Sequence, residues 1–254
     1  MIEHGTGAPL VVVPGLPGSW RFIAPAVHAL SASFRVLTFS LGPECTIDSD
    51  VERIVAGLAE RRLDRAVICG ISLGGLVALR FAARYPDRTA ALVLVSSPGP
   101  GAQLRPRHRL YLRAPWLFGP VFALETPLLL RRELHGSQLL ALVRAPISFS
   151  KIAKRARLIE ATDIAADCAR VTAPTLVVTG EPPLDEVVPV ENTMEYVTAI
   201  RGATHVMLKG TGHLGTITHA PEFATLVSAF AGRAFEARQD RDTERIAPHG
   251  KEVA

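Results

Sequence analysis

Gly70-Ile71-Ser72-Leu73-Gly74-Gly75 lies between a short apolar run, Ala66 to Cys69, and a helical pattern that begins at Leu76. A Gly-x-Ser-x-Gly between strand and helix puts its serine on a sharp, strained turn, with Oγ raised above the sheet edge. Gly70 and Gly74 suit such a turn, because a Cβ at either would collide where strand and helix pack closely. The amide of Leu73 falls in the first helical turn, where N–H groups lack partners and the dipole favours an anion. One turn thus offers a nucleophile, Ser72, and one oxyanion donor, the Leu73 N–H. Other glycine-rich turns fit less well. The dinucleotide fingerprint needs a second glycine where Ser72 stands, and the phosphate-binding loop needs a Gly-Lys-Ser/Thr that is absent. An ordinary serine on a tight turn remains open unless an acid and a histidine follow at neighbouring strand ends.

Outward from this turn the pattern alternates. Leu10 to Val13, Arg35 to Ser40, Arg65 to Gly70, Ala90 to Val95, Thr175 to Gly180 and Thr204 to Leu208 read as strands. Helical segments fall between them: Trp20 to Leu30, Val51 to Arg61, 190–200 and 221–232. Strands alternating with helices predict an α/β fold with a doubly wound, mostly parallel sheet. Ligands then bind beyond the carboxyl ends of the strands. The core is expected over 1–98 and 170–232. Residues 233–254 are charged and weakly periodic and are expected to be a disordered tail.

Residues 99–169 break the alternation and are too long for a plain connection. They hold the basic segment Arg105 to Arg113, then an apolar stretch with Trp116, Phe118 and Phe122. A helical cap over the site is expected, with Trp116, Phe118 and Phe122 binding substrate. A packed insertion that merely shields apolar surface, or a helix touching a membrane surface, are the alternatives. The arginines could draw a carboxylate-bearing substrate or form a solvated face.

After the strand ending at Gly180 come three carboxylates, Glu181, Asp185 and Glu186, and after the last strand come Gly210-Thr211-Gly212-His213. The chain order is serine, acid, histidine. A glycine before His213 and a helix after it favour a catalytic imidazole over a structural one. The eight histidines include no metal-binding spacing. In the three pieces "GISLGG", "PTLVVTGEPPLDEVVP" and "GTGHLG…APEF" the chain resembles the α/β-hydrolase superfamily, in its capped serine-hydrolase branch, over nearly all of residues 10 to 232.

The resemblance implies the acid at Asp185, in step with a D-x-V-V-P stretch, and leaves Glu181 and Glu186 as solvated loop carboxylates. It implies the second oxyanion donor at Leu16, in the loop after the first strand. Relatives usually carry His-Gly there, whereas this chain has Pro14-Gly15, so the histidine that normally braces the loop is missing. Pro17 has no N–H to offer. Relatives usually also have an antiparallel hairpin before the first parallel strand. Residues 1–9 are too few for two full strands, so a shortened sheet edge or a late-annotated start is expected.

The function so implied is hydrolysis of a carboxylic ester, thioester or lactone of a small, partly apolar molecule through an acyl-enzyme. A serine nucleophile argues against the aspartate-dependent haloalkane dehalogenases and epoxide hydrolases of the superfamily. Carbon–carbon bond hydrolysis, acyl transfer, perhydrolysis or a non-catalytic binding role on the same fold are the alternatives. No cofactor or metal is implied, and the oligomeric state is not readable. A net charge of +4 without a lysine-rich block does not indicate nucleic acid. Three scattered cysteines argue against a disulfide framework and a zinc site. With no signal peptide or spanning segment in view, a cytoplasmic location is expected.

Overall fold

The computed structural model describes residues 1–104, 106–113, 117 and 148–246, and elements are numbered among these. The strands are β1 (Ile2–His4), β2 (Ala8–Val13), β3 (Phe34–Thr38), β4 (Ala66–Ile71), β5 (Thr89–Val95), β6 (Thr175–Thr179) and β7 (Thr204–Met207). They form one sheet in the order β1-β3-β2-β4-β5-β6-β7. β1 is antiparallel to β3, and all other neighbouring pairs are parallel. The expected α/β architecture is present. The shortened edge is present too: a single strand precedes β2, and it pairs with β3. Glu3 anchors it through ion pairs to Arg35 (2.6 Å) and Arg61 (3.1 Å).

Successive side chains of a strand point to opposite faces, so a strand buried on both faces reads as a continuous apolar run. Val11 and Val13 face one core, with Ile68, Leu92 and Val177. Leu10 and Val12 face the other, with Val67, Cys69, Val93 and Val178. The first core is covered by α2 (Ile47–Glu60), α3 (Gly74–Arg84), α6 (Ala165–Arg170) and α7 (Val190–Ala199). The second is covered by α1 (Ala24–Leu30) and α9 (Ala220–Ile246). α8 (Gly215–Thr218) is one short turn before α9.

Two helix boundaries differ from expectation. α2 starts at Ile47 rather than Val51, because Thr46 Oγ1 accepts from Ser49 N (3.2 Å) and Asp48 and Asp50 sit in the first turn. That first turn is mostly polar, so the apolar stripe does not reveal it. α9 continues past Gly232 to Ile246, so the chain just after Gly232 is helical rather than disordered. Residues 247–254 lie outside the described residues.

The chain passes from β2 to β3 on one side and then returns to β4 on the other side of β2. The order thus reverses between β2 and β4, and ligands of open α/β sheets gather at such a point. The register brings the carboxyl ends into line: Val13 lies opposite Gly70, Ile71 opposite Val95, Val95 opposite Val178 and Thr179 opposite Met207. Of the expected cap, α4 (Pro106–Arg113) and α5 (Phe149–Ala161) are described. They are joined by an Arg109–Glu160 ion pair at 2.6 Å. Trp116, Phe118 and Phe122 lie outside the described residues. Among the described residues no helix is long and apolar enough to cross a membrane.

Candidate active site

Ser72 sits just past the end of β4 with φ +54, in the left-handed region that side chains rarely adopt. Its amide donates to Val95 O (2.8 Å), and its carbonyl accepts from Gly75 N (2.9 Å). Strand β5 and helix α3 thus hold the strained residue in place. A Cβ on Gly70 would lie 2.4 Å from Gly74 O, the strand–helix collision expected. A Cβ on Gly74 would meet Val13 O at 2.4 Å and Pro14 O at 2.6 Å. So Gly74 is required by the neighbouring loop after β2, not by its own strand. Leu73 opens the helix, and its amide belongs to the first turn as expected.

Gly15 lies against this turn. A Cβ there would be 3.0 Å from Ser72 Cβ and 3.6 Å from Ser72 Oγ. The loop from Pro14 to Gly18 therefore passes directly beside the serine, and Leu16 is its next residue. Gly18 N donates to Gly15 O at 2.8 Å, closing a turn over Leu16 and Pro17. In a planar trans peptide, C=O and N–H point opposite ways. With Gly15 C=O committed to the turn, the N–H of Leu16 points away from it. Among the described residues neither the Leu16 nor the Leu73 amide has a hydrogen-bond acceptor.

The histidine and the acid arrive from β7 and β6. His213 Nε2 is 3.1 Å from Ser72 Oγ. His213 Nδ1 is 3.2 Å from Asp185 Oδ1 and 3.3 Å from Oδ2. The Asp185 side chain is 1 % exposed. Its Oδ1 also accepts from Val187 N (3.2 Å) and Val188 N (3.0 Å). Burial raises the pKa of this carboxyl. The charge of His213, its hydrogen bond and the Val188 and Val187 amides outweigh burial, leaving the pKa below its ordinary value. Ser72, His213 and Asp185 are thus brought together in a chain of contacts.

The other two carboxylates differ. Glu181 Oε1 accepts from Gly210 N (2.8 Å), and Glu181 N donates to Thr211 O (2.7 Å). Glu181 is therefore a clip that holds the histidine loop, not merely a solvated charge. Gly180 permits the crossing, since a Cβ on it would lie 2.5 Å from Thr211 O. The carboxylate bonded to His213 Nδ1 is that of Asp185. His205, on β7, is bonded to Thr179 Oγ1 (2.8 Å) and takes no part in the cluster. A void with room for about one water lies behind His213, lined by Ser96, Thr179, Gly180 and Thr211. Ser72 does not line it.

One residue of the site was not foreseen. Arg155, on α5, is 4 % exposed. Its Nη1 donates to Pro17 O (3.1 Å) and more weakly to Leu16 O (3.4 Å). Its Nη2 donates to Leu41 O (3.2 Å) and Gly42 O (3.4 Å). The bracing expected to be lost with the loop histidine is thus supplied by Arg155 of α5. In sequence Arg155 stands among Lys154 and Arg157 and looks like part of a solvated basic face.

Residues 10–226 match the alpha/beta hydrolase family. The chain belongs to that family. This α/β hydrolase is 27% identical to a provisionally named carbamate hydrolase, RutD, of Pseudomonas syringae, over 90% of this chain and 95% of the relative. It is 29% identical to 2-hydroxymuconate semialdehyde hydrolase of a Pseudomonas species, over 92% and 87% of the two chains. In fold it resembles the enol-lactonase of Burkholderia xenovorans, with a TM-score of 0.73, 24% identity and coverage of 90% of this chain and 94% of that one. The family match and the two Pseudomonas relatives support a hydrolase enzyme, and those two relatives are named for different substrates. The cysteines Cys45, Cys69 and Cys168 of this α/β hydrolase are free and buried. Among its described residues no group of three His, Cys, Asp or Glu is placed to hold a metal.

Proposed function

We propose that this α/β hydrolase cleaves a carboxylic ester, thioester or lactone of a small, partly apolar molecule through an acyl-enzyme on Ser72. The observation that carries this reading is the 3.1 Å separation of His213 Nε2 and Ser72 Oγ, on a serine held at φ +54. His213 takes the Ser72 proton as Oγ attacks the carbonyl carbon. Negative charge then develops on the carbonyl oxygen, and the amides of Leu16 and Leu73 stabilise it. His213 returns the proton to the leaving oxygen or sulfur. In the second half a water, deprotonated by His213, attacks the acyl carbon and releases the acid. Asp185 holds Nδ1–H, fixing the tautomer that leaves Nε2 free to accept. Its distances of 3.2 and 3.3 Å to Nδ1 are long for a charge-assisted bond, and such bonds tighten when substrate binds.

The cap supplies the apolar contact in this reading, with Trp116, Phe118 and Phe122 against the acyl group. The test is a panel of p-nitrophenyl esters of rising acyl length, thioesters and lactones, read as kcat/KM. A burst of nitrophenol equal to the enzyme concentration, followed by a slower steady rate, is expected wherever deacylation limits turnover. Turnover of none of these classes would end the ester reading. The likeness to 2-hydroxymuconate semialdehyde hydrolase supports including a semialdehyde without an ester bond in the same panel.

A further inference from the structure

We infer that Arg155 is a positioning residue for the oxyanion-binding loop, holding the Leu16 amide in place for the charge that develops at Ser72. The inference rests on the proposed acyl transfer, since it concerns the amide of Leu16. The Leu16–Pro17 turn needs outside support. A proline in the third place of a four-residue turn restricts the residue before it and does not favour the commonest turn type. No side chain of the loop itself braces it, because the position of the usual histidine is Pro14. Gly18 completes the turn at φ +81, and a Cβ on it would lie 2.0 Å from Arg155 Nη1. The guanidinium thus packs against the loop at Gly18, in a space that only glycine leaves open.

Arg155 also reaches a second loop. The carbonyls of Leu41 and Gly42 receive its other nitrogen. Leu41 N in turn donates to Gly18 O (2.7 Å), and Gly42 N donates to the buried Asp50 Oδ1 (2.8 Å). Two loops at the ends of β2 and β3 are therefore joined to each other and to α5 through one planar cation. Arginine fits this task because its rigid fork presents several donors at fixed angles, whereas an ammonium offers a point charge. Both Nη atoms are committed to backbone carbonyls, which argues that the side chain holds the loop rather than binds substrate. Moving the carbonyls of Leu16 and Pro17 would rotate the adjoining peptide planes and turn the Leu16 N–H away from the oxyanion. The donor would be displaced and not deleted, so the loss should be smaller than the roughly 10²–10³-fold of removing a donor.

The experiment compares wild type, Arg155→Lys and Arg155→Met with p-nitrophenyl acetate. A fluorophosphonate titration taken to completion counts active sites, so kcat is expressed per competent molecule. Expected is a fall in kcat per site of about tenfold or more for Arg155→Met, and less for Arg155→Lys, with KM within about twofold. Affinity for a short alkyl trifluoromethyl ketone, whose adduct carries the oxyanion, should weaken by the same factor as kcat. If the methionine variant does not fold, the lysine variant, which keeps the buried charge, carries the same comparison. Unchanged kcat per site in a folded variant, with only thermal stability reduced, would overturn the inference. A wild-type enzyme that neither labels nor turns over ester would instead sink the proposed function.

Discussion

Gly15 and Ser72 are packed so closely that a side chain between them requires movement: a Cβ on Gly15 would stand 3.0 Å from the serine Cβ and 3.2 Å from Ile71 O. The loop carrying the Leu16 amide and the turn carrying the serine are therefore set against each other by contact. Gly15→Ala forces them apart by a few tenths of an ångström. Since a misplacement of about 1 Å can cost 10²-fold, a fall in kcat/KM of about tenfold is expected, with melting temperature little changed. Wild-type kcat/KM in the alanine variant would show that this contact does not set the site.

Asp185 and Glu181 occupy one loop and should respond differently. Asp185→Asn presents His213 with an amide and favours the wrong tautomer, so kcat should fall by up to about 10⁴-fold. Glu181→Gln keeps an oxygen for Gly210 N and should stay within a few-fold of wild type. Steady-state kinetics of the two variants decide. The reverse order of losses would mean that the acid partner of His213 is misassigned.

The acid limb of stability follows from Asp185. Its pKa is lowered on folding, because the His213 charge, the bond to His213 and the Val188 and Val187 amides outweigh burial, which acts upward. The folded state therefore binds this proton less readily than the unfolded chain. The stabilising contribution is present above the unfolded value of about 3.9 and is lost as pH falls through the lower folded value. The melting-temperature gap between wild type and Asp185→Asn should be widest near neutrality and should narrow on acidification to about pH 3. A gap that widens as pH falls contradicts the assigned sign.

Trp116 and Phe118 test the cap as a determinant of acyl choice. Replacing both by alanine should lower kcat/KM for long or aromatic acyl esters about tenfold or more, since each 1.4 kcal/mol is tenfold. Acetyl esters should lose little. Equal losses on both kinds would leave the cap as a structural lid.

Much of the fold and site is visible in the linear chain because local chemistry and topology agree there. The run Leu10 to Val13 is apolar at every position, which only a strand covered on both faces tolerates. Gly70 and Ser72 are readable because the turn admits few other residues, and His213 because a glycine precedes it at a strand end. The bracing arginine is not readable. Arg155 and the carbonyl of Pro17 are 138 residues apart, and backbone carbonyls leave no mark in a sequence. Glu181 looks solvated in the linear chain for the same reason: its partner is the amide of Gly210. The first turn of α2 is hidden in the apolar pattern because its residues are mostly polar, its start being set by the Thr46 cap.

The central claim is that Ser72 Oγ becomes acylated, and intact-protein mass spectrometry tests it most directly. Wild-type enzyme treated with a fluorophosphonate should gain the mass of one phosphonyl group, mapped to the peptide containing Ser72, as hydrolysis of p-nitrophenyl acetate is lost. Ser72→Ala should fold, take up no label, and show a kcat lower by roughly 10⁴-fold or more. Labelling of the alanine variant at the wild-type rate, or its undiminished turnover, would contradict the account.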